Sequence, residues 1–320
     1  MKMKTRLGAY VSTALIALTA ANAGASLLFY DGFDYTAGAL LAPTNDTIAI
    51  PNPGLHNVDY NVDWRYAGAG AAANKAPAIA SSGLTYPAPS VPSSGNSVLF
   101  DATQIGIARI QINPTAINSG TVYWSGLLQV GTVANLNAVN GMLLGGFNNT
   151  PGPGTSASSV GACLRIRQAS GDTTKYNIGT AMNSGTGSGA GGANIQWGTG
   201  SYAAGQTVFV VGSYEFVTGT VNDVARMWIN PSLSDFGTTL APGGNITSAP
   251  GFNIADSFAS LSTFNLRNVN SVGTPTGVLF DELRVGESWA DVTPIPEPPA
   301  TGLLGLGMLV VAGWYRSRRH

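Results

Sequence analysis

Short apolar segments with alternating polar positions recur along most of the chain, and turn residues separate them. Period-two alternation turns successive side chains to opposite faces of an extended backbone, so each segment predicts a strand with one face on a core. The segments are 27–33, 98–100, 105–112, 121–130, 141–147, 163–168, 207–217, 224–230, 262–266 and 278–285. No window carries the 3.6-residue period of an amphipathic helix. So many short strands in one chain predict an all-β, antiparallel sandwich. Two stretches, 148–159 and 183–194, are low in complexity and rich in small and polar residues, which predicts surface insertions within one domain.

The two ends follow a different pattern. Lys2, Lys4 and Arg6 precede an uncharged apolar stretch from Leu7 to Ala20, and two small-x-small sites follow, Ala21-Asn22-Ala23 and Ala23-Gly24-Ala25. This is the layout of a secretory signal peptide, residues 1–25, to be removed by signal peptidase after Sec-type export. At the other end stand Pro296-Glu297-Pro298, an apolar run from Ala300 to Tyr315, and then Arg316, Arg318 and Arg319. The prolines hold an extended backbone. The run predicts one short transmembrane helix of about 24 Å against a bilayer core of about 30 Å. The arginines keep the extreme C-terminus cytoplasmic. In order, spacing and position these parts resemble a PEP-CTERM sorting signal. That resemblance implies processing by an exosortase-like membrane protease, with an ordinary tail anchor as the alternative. The division expected is signal peptide 1–25, one body 26–293, and sorting signal 294–320.

Charge changes once the ends are set aside. The whole chain is net −1 with two histidines and one cysteine. Residues 26–295 hold 9 Lys and Arg against 15 Asp and Glu, a net charge of −6. An acidic body without a basic cluster excludes nucleic acid as the expected partner. A lone Cys163 permits no intrachain disulfide, and its strand-like setting predicts a small core residue.

The opening segment Leu28 to Gly38 and the closing segment Phe280 to Gly286 resemble the terminal strands of a concanavalin A-like, laminin-G-like jelly roll. Tyr214-Glu215-Phe216, Asn222-Asp223 and Met227 to Pro231 resemble its adjacent strand pair, and Trp289 to Pro294 leads into the tail. The fold implied is an antiparallel jelly-roll sandwich. Some enzymes of that fold cleave glycans with alternate acids along one strand, Glu-x-Asp-x-x-Glu or a close variant. The only glutamates of the body, Glu215, Glu282 and Glu287, have no acidic residue two positions away, and His56 is its one histidine. The expectation is therefore no catalytic residue, with a glycan-active enzyme as the alternative.

Two aspartates interrupt apolar faces: Asp31 in the run Leu27, Phe29, Phe33, and Asp281 in the run Leu279, Leu283, Val285. An inward carboxylate is costly unless paired or coordinated. In a jelly roll the terminal strands are neighbours, which leaves two readings. Asp31 and Asp281 share a structural Ca²⁺ with backbone carbonyls and waters, or each caps backbone N–H groups at a strand end. For sugar binding the candidates are aromatic and planar polar groups on shared faces: Tyr123 with Ser125 and Gln129, Arg226 with Trp228, and Arg165 with Arg167. Trp64 is a further exposed-aromatic candidate; ordinary sandwich packing is the alternative for all of these aromatics. The combined expectation is an exported, non-catalytic protein of the bacterial surface or extracellular matrix, associated with or binding extracellular polysaccharide. A purely structural matrix role without a soluble ligand is the further alternative.

Overall fold

The computed structural model describes residues 27–41, 64–66, 76–86, 91, 93–101, 106–149, 159–185, 195–219, 222–243, 246–248, 259–268 and 275–294. The proposed signal peptide, His56 and the sorting signal from Pro296 to the C-terminus lie outside these residues. Among the described residues no helix is long and apolar enough to cross a membrane.

Among the described residues seventeen strands follow in chain order: β1 (Leu27–Asp31), β2 (Arg65–Tyr66), β3 (Ala78–Ile79), β4 (Val98–Phe100), β5 (Gly106–Gln111), β6 (Thr121–Val130), β7 (Met142–Asn148), β8 (Ser159–Ala169), β9 (Asp172–Thr180), β10 (Asn183–Gly185), β11 (Gln196–Trp197), β12 (Tyr202–Ala203), β13 (Thr207–Glu215), β14 (Val224–Ile229), β15 (Ile246–Thr247), β16 (Thr263–Asn268) and β17 (Val278–Gly286). Sheet A runs β15-β14-β13-β6-β17-β4-β3, with β1 also on β17; sheet B runs β11-β9-β8-β7-β16-β5-β2, with β10 on β8 and β12 on β9. Every pairing is antiparallel. The expected all-β antiparallel sandwich is the fold, and its first and last strands are neighbours.

All ten expected strands are present within a few residues at their ends. The long strand β9 was not anticipated. It begins Asp172-Thr173-Thr174-Lys175, which shows no alternation, and only Tyr176 and Ile178 reach the main core. Its place is set by the Ser170-Gly171 turn, where Gly171 takes φ 77°, and by pairing with β8.

The main core lies between the sheets. Trp124 of β6 packs on Phe264 of β16 at 5.6 Å, and its indole donates to the Ala162 carbonyl of β8 at 3.1 Å, so one side chain ties both sheets. Gly212 opposite it is obligatory, because a Cβ there would sit 2.3 Å from that indole. A second apolar cluster covers the outward face of sheet A: Leu127, Phe209 and Trp228 pack under Phe236, Trp289 and Val292. The cover is a 3₁₀ turn at Leu233–Asp235 and a single-turn helix α1, Trp289–Val292, held by a Ser288–Asp291 capping box. The segment that leads into the tail thus packs on sheet A.

Candidate functional site

The sugar-binding candidates divide between two faces. Tyr123, Ser125 and Gln129 do share the outward face of sheet A with Arg226 and Trp228, but that face is covered. Trp228 is 3 % exposed, donates to the Pro242 carbonyl at 2.9 Å, and packs against Tyr123 and Trp289. Ser125 donates to the Val292 carbonyl at 2.7 Å, fastening the helix over the sheet. Gln129 donates to Thr207, and Arg226 pairs with Glu215. The packing alternative holds for Trp228 and Tyr123. Trp64 is not exposed either: it is 2 % accessible, and its indole donates to Asp31.

Asp31 and Asp281 sit where the chain's terminal strands meet, but they leave sheet A on opposite faces. Asp31 is paired with Leu283, which faces the main core. Asp281 is paired with Leu127, which faces the outer cluster. The common face expected for Leu279, Asp281, Leu283 and Val285 is broken by a bulge. Between Asp281 and Arg284 three steps of β17 oppose two of β6, and Glu282 adopts φ 56°. Both carboxylates are engaged. Asp31 accepts from Phe33 N–H at 2.7 Å, Tyr35 O–H at 2.8 Å and the Trp64 indole at 2.7 Å. Asp281 accepts from Leu84 N–H at 2.7 Å and Glu282 N–H at 2.8 Å. Glu282 accepts from Ser94 N–H at 2.6 Å and Tyr30 O–H at 2.9 Å. Among the described residues no group of three or more His, Cys, Asp or Glu is placed to hold a metal. Each of the two carboxylates caps backbone N–H groups, as the second reading had it. Burial pushes the Asp31 carboxyl up to about 6 against its three donors, and pushes Asp281 up to about 8 with the charges of Glu282 and Asp31 adding.

The remaining candidate, Arg165, lies on the other side of the molecule, on the outward face of sheet B. In β5, β8 and β16 the apolar positions Ile110, Leu164, Ile166, Phe264 and Leu266 face the core. The alternate positions therefore face outward, and they carry Arg109, Arg165, Arg167, Asn265 and Arg267. Antiparallel register sets Asn265 directly beside Arg109 on one side and Gly146 on the other. Arg165 stands opposite Leu143 and Gly179, so small or apolar neighbours flank it. Burial and the adjacent Arg165 charge lower Arg267 to about 10, while burial lowers Arg109 and Arg167. At the half-buried end, the Arg167 guanidinium lies 4.5 Å from the centre of the Trp197 ring. A small apolar cluster containing Leu143, Cys163 and Ala181 borders the polar groups, and Cys163 is buried there as expected.

Sequence reading found Arg165 and Arg167 on one face but missed Arg109, Asn265 and Arg267. The signal was present: each is a polar residue at the outward position of an apolar strand. Only the order β5-β16-β7-β8 brings them together.

No protein-family model and no curated protein matches the chain. Among solved structures it is similar to alginate lyase Aly36B, at 11 % identity and TM-score 0.36, over 61 % of this chain and 82 % of that one. It is also similar to a carbohydrate esterase of Shiga toxin-encoding bacteriophage phi24B, at 10 % identity and TM-score 0.40, over 82 % and 99 % of the two chains. A third is the Ca²⁺/Man-bound exoplasmic/lumenal domain of VIP36, at 10 % identity and TM-score 0.36, over 65 % and 85 %. With scores this low, no residue role passes from them to this chain. Fold and site define an antiparallel β-sandwich in which an apolar cover buries the outward face of sheet A and the outward face of sheet B carries buried arginines and an amide.

Proposed function

We propose that this is an exported protein of the bacterial surface or extracellular matrix that binds extracellular polysaccharide without cleaving it, and that it is delivered by an exosortase-type system. The observation that supports binding is the half-buried Arg167 guanidinium over the half-buried Trp197 indole on the outward face of sheet B. Sugars are held by such combinations of aromatic surface and planar polar groups. The non-catalytic reading is supported by the carboxylates at the terminal strands. Asp31, Asp281 and Glu282 are all buried and turned to backbone, tyrosine or indole donors. Export is supported by the two ends of the sequence.

Affinity electrophoresis of the full chain through gels containing defined polysaccharides tests the binding. Retardation in at least one gel, with no shortening of the polymer, is expected. Migration unchanged in all of them favours a purely structural role, and a falling polymer length makes the protein an enzyme. Mass spectrometry of the C-terminus in surface and medium fractions tests the delivery. A terminus near Pro296 is expected, whereas an intact His320 in every fraction defeats sorting.

A further inference from the structure

We propose that, while the tail is uncut, the protein rests on the membrane through the cover of sheet A, with Leu233 and Leu240 seated in lipid. This rests on the delivery reading above and names the surface by which the delivered body meets the bilayer.

The cover is where the described chain leaves the fold. Thr293 is buried, its carbonyl accepts from Gly237 N–H at 2.9 Å, and its hydroxyl donates to the Trp289 carbonyl at 2.8 Å. Pro294 after it is half-buried. Five residues, Ile295 to Pro299, then separate Pro294 from the apolar run that begins at Ala300. Six Cα steps span about 20 Å at most, and headgroups fill about 5–7 Å of that outside the bilayer core. Three of the five residues are prolines, which leaves the connection little slack. A body held this close turns one side to the bilayer, and that side is the one around Thr293.

Two leucines mark it. Among the described residues the exposed large apolar side chains are Val139, Val217, Leu233 and Leu240. Leu240, at 80 % exposure, is the most open of the four, and Leu233 is 39 % exposed. Both are tied to the exit point through the backbone of the cover. Leu233 opens the 3₁₀ turn, and its carbonyl accepts from Phe236 N–H at 3.2 Å. The Thr238 hydroxyl lies 2.7 Å from the Asp235 carbonyl and 2.9 Å from that of Leu240. The same Asp235 carbonyl accepts from the Trp289 indole of α1. Beneath them Phe236 and Trp289 are buried, so the leucines stand on a packed base.

Residues 231–243 hold one charged group, Asp235, and neither lysine nor arginine. Without cations the cover has nothing with which to hold anionic headgroups or an acidic partner; apolar contact is what it offers. Two leucines fall far short of the roughly 800 Å² per partner that a stable protein interface buries, so a second copy of the chain is not the occupant. Lipid needs no such area, because the tail already keeps the body at the bilayer and raises the effective concentration of the contact.

The test uses the full chain in phosphatidylcholine vesicles, with Leu240→Cys carrying an environment-sensitive fluorophore. Cys163 is buried and stays unlabelled. Lys175→Cys is the control, because Lys175 adjoins the core residue Tyr176 on β9 and so faces outward from sheet B. Flotation with the vesicles establishes the anchor. The label at position 240 is expected to shift to the blue and to be quenched about twofold or more by lipid spin-labelled at the headgroup boundary. The label at position 175 should stay aqueous, and high salt should change neither. In a chain labelled at Leu233→Cys, Leu240→Asp should abolish the shift while the melting temperature holds, because so exposed a side chain supports little of the fold. Flotation with both labels aqueous overturns the docking surface and leaves delivery intact. Absence of flotation overturns the membrane-anchored stage and the docking together. Equal quenching at positions 240 and 175 overturns the choice of face. A shift lost in high salt makes the contact electrostatic and overturns its apolar character. A shift that survives Leu240→Asp assigns it to the tether alone and overturns the role of the leucines.

Discussion

Asp31 shows how one carboxylate can organise a sandwich. It leaves sheet A toward the core and collects a backbone N–H, a tyrosine hydroxyl and the indole of Trp64, which precedes the edge strand of sheet B. Asp31→Ala leaves these buried donors unmatched, so unfolding free energy should fall by about 2–4 kcal/mol; urea titration measures it, and a loss below 1 kcal/mol contradicts the role. Trp228 makes the complementary case. Its ring packs under the cover of sheet A and its indole donates to Pro242. Trp228→Phe should cost about 1–3 kcal/mol of stability and leave polysaccharide affinity unchanged. A selective loss of affinity in a protein that melts normally would return Trp228 to the binding surface. Both residues were conspicuous in the sequence, Asp31 as a charge in an apolar run and Trp228 as an aromatic. Their roles were not legible there, because neither Trp64 nor the residues covering Trp228 are close to them in the chain.

At the scale of elements, the four-residue helix α1 matters more than its length suggests. Ser288 and Asp291 cap it reciprocally, its Val292 carbonyl accepts from Ser125, and the Trp289 indole donates to the Asp235 carbonyl at 2.6 Å. It thereby joins the last strand, the 3₁₀ turn and the centre of sheet A. A chain ended after Thr293 should melt within a few degrees of the full chain, whereas one ended after Gly286 should lose well over 10 °C, as several kcal/mol of burial disappears. Equal melting of the two truncations would show that the cover is dispensable. Sorting near Pro296 would leave this element whole. The alternation of strands was readable because each needs only its own period. The cover was not, since one helical turn has no period to read. The bulge at Glu282 was hidden for a related reason: it is an irregularity in pairing, and pairing belongs to two strands at once.

For the whole molecule, the meeting of β1 and β17 within sheet A gathers buried carboxylates that set its response to acid. Burial raises Asp31 to about 6, Asp281 to about 8, and Glu282 above its ordinary range. In an unfolded chain these groups titrate near 4. The folded protein therefore holds more protons than the unfolded chain between about pH 4 and pH 8. Stability from these groups is full below this window and is lost as pH rises through it, by about 1.4 kcal/mol per unit for each group while it is titrating. Asp172, lowered to about 2 by Thr174 and Lys175, changes only below the window. The urea midpoint should be higher at pH 5 than at pH 8, and the reverse order contradicts the buried clasp.

The sequence by itself determined the strand segments, the all-β antiparallel class, the acidic body and the expectation of export, because local period, composition and terminal charge suffice for these. It also exposed Asp31, Asp281 and Arg165 as polar groups in apolar strands. Tertiary structure alone decided which sheet each belongs to, which face of sheet A is covered, and that Asp31 and Asp281 point apart. It alone gathered Asn265 with the arginines of β5, β8 and β16. The reason is physical: alternation fixes a side chain's face within its own strand, while the neighbours on that face come from register and strand order across distant parts of the chain.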